Sequence, residues 1–258
     1  MKPGIYGDIS NWQYHNDPEC HGLSKGGLDR LESSPAHFKA QVVSKNPPSP
    51  EMVFGSAFHT YVLQPENVSK EIKVQKTVKK ADRDELALSQ GVSLLTPDQE
   101  DAILCMLESV NASQTASGLI NHPDSVKERS VFWDEATHGF QCKCRPDIMI
   151  PSLGILADLK TTRDANPDKF LRDALYNYNY FVQAAWYLTG INAVQEKYYQ
   201  TFLYICVEKS PPYAVAVYRA TQIRIDDARN KIRPLLALYA DCLKNDNFPG
   251  YPDEIMDL

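Results

Sequence analysis

Between Gln141 and Thr162 the chain reads QCKCRPDIMIPSLGILADLKTT, two runs of alternating character joined by Pro151, Ser152, Leu153 and Gly154. A period of two is the mark of a β-strand, and a short turn-forming link between two such runs predicts a hairpin. With those four residues as the loop, Ile150 stands opposite Ile155, Ile148 opposite Ala157, Asp147 opposite Asp158 and Arg145 opposite Lys160. One face then carries Ile148, Ile150, Ile155 and Ala157, with Leu159 and Cys144 along the same side. The other carries Arg145, Asp147, Asp158 and Lys160. A slip of one residue would bury the charges, so the pattern selects the register. Directly opposed Cβ atoms lie roughly 4.5 to 5.5 Å apart, and two carboxylates that close call for a proton, flanking cations or a metal ion. Two readings follow. Arg145 and Lys160 neutralise the acids in a salt-bridge lattice, or the acids hold a hard divalent cation beside a lysine that orients or deprotonates a water.

The surroundings predict an α/β (α+β) fold. Further strands are expected over Ser130 to Glu135, Gly139 to Ile150, Ile155 to Thr162, Tyr199 to Glu208 and Tyr213 to Ala220. Helices are expected over Gly22 to Gln41 (entered through Ser24), Phe54 to Leu63, Pro167 to Leu188 (stopped by Gly190) and Ile225 to Lys244. Thr96, Pro97 and Gln99 form a capping-box start for a helix to about Val110, with Ile103, Leu104 and Leu107 inward. SKNPPSP, from Ser44 to Pro50, is a loop because three prolines exclude regular structure. Lys70 to Arg83 is the one markedly basic stretch, either a solvated loop or a strip touching backbone phosphates. The aromatic run Tyr176, Tyr178, Tyr180, Phe181, Trp186 and Tyr187 reads as helix packing rather than a base-stacking platform.

Composition narrows the function. With 33 acidic and 27 basic side chains the formal charge is -6, which gives no overall positive field for coating nucleic acid, so a polyanion must be held locally. The six cysteines are scattered, and Cys142 and Cys144 fit one strand face better than a zinc knuckle. No apolar run reaches membrane-span length and the N-terminus has no signal architecture, so no membrane association is expected and the cytoplasm is the expected compartment. The 258 residues are expected to form one domain: an N-terminal helical part and proline-rich loop (1-50), a core (51-220) and a C-terminal helix and tail (221-258).

Pro146-Asp147, ten residues, then Asp158-Leu159-Lys160 resembles the PD-(D/E)xK nuclease signature. Gly55-Ser56-Ala57-Phe58-His59 resembles the GxxxH helix of the RecB-like branch, and Gln183 to Tyr187 (QAAWY) its QxxxY motif. LSKGGLDRLESSPAHF, FGSAFHTYVLQPE and the RPDI and ADLKTT segments look most like the exonuclease VIII (RecE-like) phage and prophage nucleases. The absence of a clustered cysteine set speaks against the iron-sulfur relatives.

The resemblance implies a restriction-endonuclease-like core, a central mixed sheet flanked by helices. It implies Mg2+, with Mn2+ substituting, held by His59, Asp147, Asp158 and the backbone carbonyl of Leu159. Lys160 would activate the water, Glu128 would support a second ion or its waters, and Gln183 and Tyr187 would position Lys160 and the scissile phosphate. Arg145 and Thr161 are expected at the DNA, with Lys76, Lys79 and Lys80 on the basic stretch. The implied activity is exonucleolytic hydrolysis of linear double-stranded DNA, 5'-to-3', leaving 3' overhangs for recombination. The implied partners are DNA ends, a homo-oligomeric ring (a tetramer) and a single-strand annealing protein. A single-strand-specific or structure-selective nuclease of the same fold, or a catalytically silent DNA-binding module, are the alternatives.

Overall fold

The computed structural model describes residues 1-43 and 46-255; Ser44 and Lys45, which open the expected proline-rich loop, lie outside them. In chain order the elements are β1 (Gly4–Tyr6), α1 (Asn11–Asn16), α2 (Lys25–Ser33), α3 (Pro35–Val43), α4 (Pro50–Leu63), α5 (Val68–Glu71), β2 (Ile72–Val74), α6 (Lys80–Gln90), β3 (Ser93–Leu95), α7 (Pro97–Ala112) and α8 (Gln114–Ile120). There follow β4 (Val126–Lys127), β5 (Ser130–Asp134), β6 (Gln141–Cys144), β7 (Ile148–Ile150), β8 (Ile155–Thr162), α9 (Pro167–Arg172), α10 (Tyr180–Val194), β9 (Thr201–Glu208), β10 (Val215–Arg219) and α11 (Gln222–Asn245). Among the described residues no helix is long and apolar enough to cross a membrane.

The central sheet is mixed, in the order β10-β9-β8-β7-β4, with only β8 and β9 parallel. Smaller sheets are β1-β5-β6 and β2-β3. Side chains alternate along β8 and β9, and both faces are covered. Leu156, Phe202, Tyr204 and Cys206 join one core with Val182, Ala185 and Trp186 of α10, Leu28 of α2 and Ile232 of α11. Ala157, Leu159, Ile205 and Val207 join a second core with Ala57 and Phe58 of α4, Ile103 and Met106 of α7 and Ala116 of α8. Burial on both sides explains why β8 reads as a nearly continuous apolar run, and it makes Asp158 the exception within that run.

The hairpin register is the expected one for three pairs, Ile150 with Ile155, Met149 with Leu156 and Ile148 with Ala157. The expected continuous strand from Gly139 to Ile150 is broken at Arg145-Pro146-Asp147, where the chain leaves the small sheet and enters the central one. Pro146 has no N–H to give a ladder, which makes it a natural breaking point. Cys144 consequently belongs to the α10-side core rather than to the face of Ile148 and Ile150, and Arg145 does not oppose Lys160.

Four helix expectations are also corrected. The stretch Gly22 to Gln41 is two helices, because Pro35 starts α3 at its first position while Ser34 stays extended. The stretch Pro167 to Leu188 is interrupted by one π turn over Asp173–Asn177, and Asn179 takes a left-handed conformation before α10. Gly190 does not end that helix: it is buried inside α10, where a Cβ would collide with the Trp133 ring. On α7 the capping box forms as expected, but the inward stripe is Ile103, Met106 and Val110, and Leu104 is exposed.

Candidate functional site

The break between β6 and β7 is what builds the site. Next to it, the chain between β4 and β5 makes the same passage from the central sheet to the small one, through Glu128. That residue holds φ at +53°, a left-handed conformation costly for a side chain with a Cβ. Its N–H donates to the Asp147 carbonyl at 2.9 Å, so the two crossings are tied together and their carboxylates emerge side by side.

His59 approaches from α4. Its Nε2–H donates to the Leu159 carbonyl at 2.8 Å, leaving Nδ1 3.5 Å from Asp147 Oδ2 and 3.8 Å from Glu128 Oε1. One donor atom from each of His59, Glu128 and Asp147 lies within 4.8 Å of the others. Asp147 Oδ2 also accepts the Leu159 N–H at 2.7 Å. Leu159, expected as a carbonyl ligand, thus fixes the ring of His59 through its C=O and the carboxylate of Asp147 through its N–H, as groups one layer behind a metal commonly do.

Asp158 sits beside this trio on β8, 2% exposed. Its Oδ1 accepts from Gln183 Nε2 at 2.6 Å. Its Oδ2 lies 2.5 Å from Lys160 Nζ as an ion pair, yet no hydrogen bond of good geometry reaches that buried oxygen. Lys160 Nζ is also 4.7 Å from the centre of the Tyr180 ring, a cation-π contact. Tyr187, one turn after Gln183 on α10, is half-buried and packs edge-on to Phe202.

The charge balance explains the protonation states. Burial pushes the Asp147 carboxyl up and the neighbouring Asp158 charge adds to it, to about 8. For His59 burial acts downward, but the carboxylates of Asp147, Glu128 and Asp158 outweigh it and carry the imidazole up to about 9. Glu128 goes the other way: burial would raise it, and His59 with Arg145 hold it below its ordinary value. Lys160 is likewise raised, since Asp158, Tyr180 and Asp147 outweigh its burial, so it is an ammonium at neutral pH rather than a ready base.

Three carboxylates, one of them Asp158 with its under-bonded buried Oδ2, and one imidazole make a hard, oxygen-rich donor set suited to Mg2+ or Mn2+. His59 Nδ1, Glu128 and Asp147 would hold the ion, with Asp158 adjacent. The raised proton affinities of His59 and Asp147 mean that binding would displace protons from this pair.

Arg145 departs from its expected place at a phosphate. It is 7% exposed, and its guanidinium donates to Glu128 Oε2 at 2.9 Å, the Ser130 hydroxyl at 2.6 Å and the Ile9 carbonyl at 3.0 Å. The salt-bridge alternative describes it, with Glu128 rather than Asp147 as its partner. Thr161 is half-buried on β8 facing Gly55 of α4. Lys76, Lys79 and Lys80 are exposed and, among the described residues, no hydrogen bond or ion pair joins them to the cluster; Lys80 pairs with Asp84. Their segment is not a simple loop, since it includes β2 and the start of α6.

Two residues had no advance signal. Lys25 on α2 is 2.7 Å from Asp29, donates to the Tyr178 carbonyl at 2.6 Å and lies within the electrostatic reach of Lys160 and Asp158. Tyr180 covers Lys160 although it reads in sequence as ordinary packing.

Residues 24–256 match the family described as "PDDEXK-like domain of unknown function (DUF3799)". The chain belongs to this PDDEXK-like family. No curated protein matches it. Among solved structures, a provisionally assigned exonuclease from Eubacterium rectale aligns over 96% of this chain and 97% of its own with 14% identity and a TM-score of 0.64. A phage-related exonuclease from Haemophilus somnus 129PT aligns over 88% and 97%, with 10% identity and a TM-score of 0.40. The first likeness shows a shared fold across nearly the whole of both chains.

Proposed function

We propose that this chain is a divalent-metal-dependent deoxyribonuclease of the exonuclease VIII type, acting on the ends of linear double-stranded DNA. The observation that carries this reading is the convergence of His59, Glu128 and Asp147 on one point, with Asp158, Lys160 and Gln183 held against it in a PDDEXK-like fold.

When bound, the ion supplies Lewis-acid polarisation of a phosphoryl oxygen and makes a coordinated water more acidic. The chain's own groups do the rest. Lys160, kept cationic by Asp158, faces the attacked phosphate as a fixed positive charge and orients the water through an N–H. Gln183 holds Asp158 from α10, so the acid keeps one oxygen toward Lys160 and the ion side. The water oxygen bonds to phosphorus as the P–O bond to the released nucleotide's 3' oxygen breaks; one of the water's protons passes through solvent to that oxygen, and the other stays on or ionises from the new 5' phosphate. Arg145 sets the position of Glu128 rather than touching DNA. Mg2+ is the proposed physiological ion, and 5'-to-3' polarity, a tetrameric ring around the duplex, a single-strand annealing partner and a role in recombination complete the proposal by resemblance.

Purified protein with Mg2+ or Mn2+ should release mononucleotides from 5'-blunt linear duplex, leave covalently closed circles intact and lose activity with EDTA. Asp158→Asn and Lys160→Met should be inactive. Cleavage of circles or a strict demand for single strands would replace the exonuclease reading with the structure-selective or single-strand one. Full activity in both variants would exclude this site.

A further inference from the structure

Immediately before α10 the chain presents two tyrosines to solvent, Tyr176 at 79% and Tyr178 at 52% exposure. They contribute little to the core, so packing does not account for them, contrary to the sequence expectation for this run. Nor are they on a loose loop. They ride on the π turn Asp173–Asn177, closed by the Tyr178 N–H to the Asp173 carbonyl at 3.0 Å, a rare conformation that recurs at functional sites. The turn is gripped from outside as well. Lys25 donates to the Tyr178 carbonyl at 2.6 Å, Asn179 donates to Asp29 and Glu32 at 3.3 and 3.0 Å, and Lys231 donates to Asn179 at 3.0 Å.

The exposed ring also ends a stack that leads to the reacting centre. Tyr178 lies 5.2 Å from Tyr180 at 17°, Tyr180 lies 5.7 Å from Phe170 at 29°, and Phe170 lies 5.0 Å from Tyr218 at 18°. Lys160 Nζ sits 4.7 Å over Tyr180. Tyr178 is therefore within about three base-stacking steps (~3.4 Å each) of the catalytic ammonium. A rigid exposed aromatic ring close to a cationic site that holds the backbone is the arrangement by which proteins hold single strands, and Lys160 is the cation nearest this stack.

We propose that Tyr178, with Tyr176 on the same turn, is a stacking platform for an unpaired base of the strand whose phosphate lies at Lys160. This rests on the nuclease reading of that site and names what it selects: a strand end peeled from its complement rather than an intact duplex. The ring supplies a π face to any base, so the platform is indifferent to sequence, and Lys25 fixes its height by holding the backbone beneath it.

The test is a titration of a tailed duplex carrying 2-aminopurine in the tail, with Ca2+ in place of Mg2+, alongside Mg2+-dependent cleavage of the same duplex. Wild type and Tyr178→Phe should quench the fluorescence on binding. Tyr178→Ala should not quench, and should bind about 5- to 150-fold more weakly, the range for loss of one base-aromatic stack. Replacing the base by an abasic site should weaken wild type by a similar factor and leave Tyr178→Ala unchanged. Quenching by Tyr178→Ala equal to wild type, or an abasic penalty undiminished in that variant, overturns the platform. Intact quenching without cleavage by wild type overturns the nuclease reading and leaves the platform standing.

Discussion

Metal binding at His59, Glu128 and Asp147 should be steeply pH-dependent, because the ion must displace protons. The imidazole, carried up to about 9, and the carboxyl, carried up to about 8, hold protons as a coupled pair at pH 7 when no ion is bound, so binding releases protons there. Protons and ion compete for the same atoms, and affinity rises as pH rises. Because each group's charge sets the other's proton affinity, the two titrate as a pair, and affinity for the ion should rise across pH 7 to 9 as the pair loses its protons. The same shifts fix the sign for stability without the ion. Both groups bind protons more tightly in the folded state than at their ordinary values, 3.8 for Asp147 and 6.5 for His59. Stability should fall as pH rises through 7 to 9, and added ion should offset the fall. Isothermal titration of Mn2+ in buffers of different ionisation enthalpy counts the protons directly. Release of fewer than about half a proton per ion at pH 7, or affinity flat from pH 7 to 9, would refute the reasoning.

Three further predictions concern single side chains. Arg145→Met leaves Glu128 and Ser130 buried without their donor and should cost about 3 to 5 kcal/mol, read as a fall in Tm of roughly 10 °C; a stable variant with only weakened DNA binding would mean that the guanidinium serves a phosphate. Gln183→Leu removes the donor to the buried Asp158 oxygen and should lower kcat about 10- to 100-fold, with a loss of about 1 to 3 kcal/mol from the unpaired acceptor read in circular-dichroism melts; unaltered kcat in the folded variant contradicts the positioning role. Gly190→Ala forces a methyl into the Trp133 ring and should cost about 1 to 3 kcal/mol in urea unfolding while leaving low-temperature cleavage intact.

The legible and illegible parts of the molecule divide by the range of the interaction that sets them. The hairpin register follows from alternation and a four-residue loop, both local, and the Thr96 capping box likewise depends on three neighbouring residues. Asp147, Asp158 and Lys160 stand out because charges opposed across a hairpin need partners, and His59 because it interrupts an apolar helix, whereas Gln183 stands out only through the QxxxY resemblance. What sequence spacing does not carry is where a strand changes sheets. The crossing at Arg145-Pro146-Asp147 sends Arg145 inward to Glu128, a partner 17 residues away on another crossing, whereas a continuous strand puts it beside Lys160. Gly190 reads as a helix stop locally, and only the Trp133 ring packed against it shows why it stays helical. Exposure of Tyr176 and Tyr178 depends on the π turn, which no periodicity announces.

The most direct measurement of the central claim is anomalous diffraction from crystals soaked in Mn2+. The account predicts a peak bounded by His59 Nδ1 and the carboxylates of Glu128 and Asp147, with Asp158 adjacent and Arg145 still bound to Glu128. A fully soaked crystal with no peak there, or an ion held elsewhere with His59 and Asp147 still in contact, would contradict it.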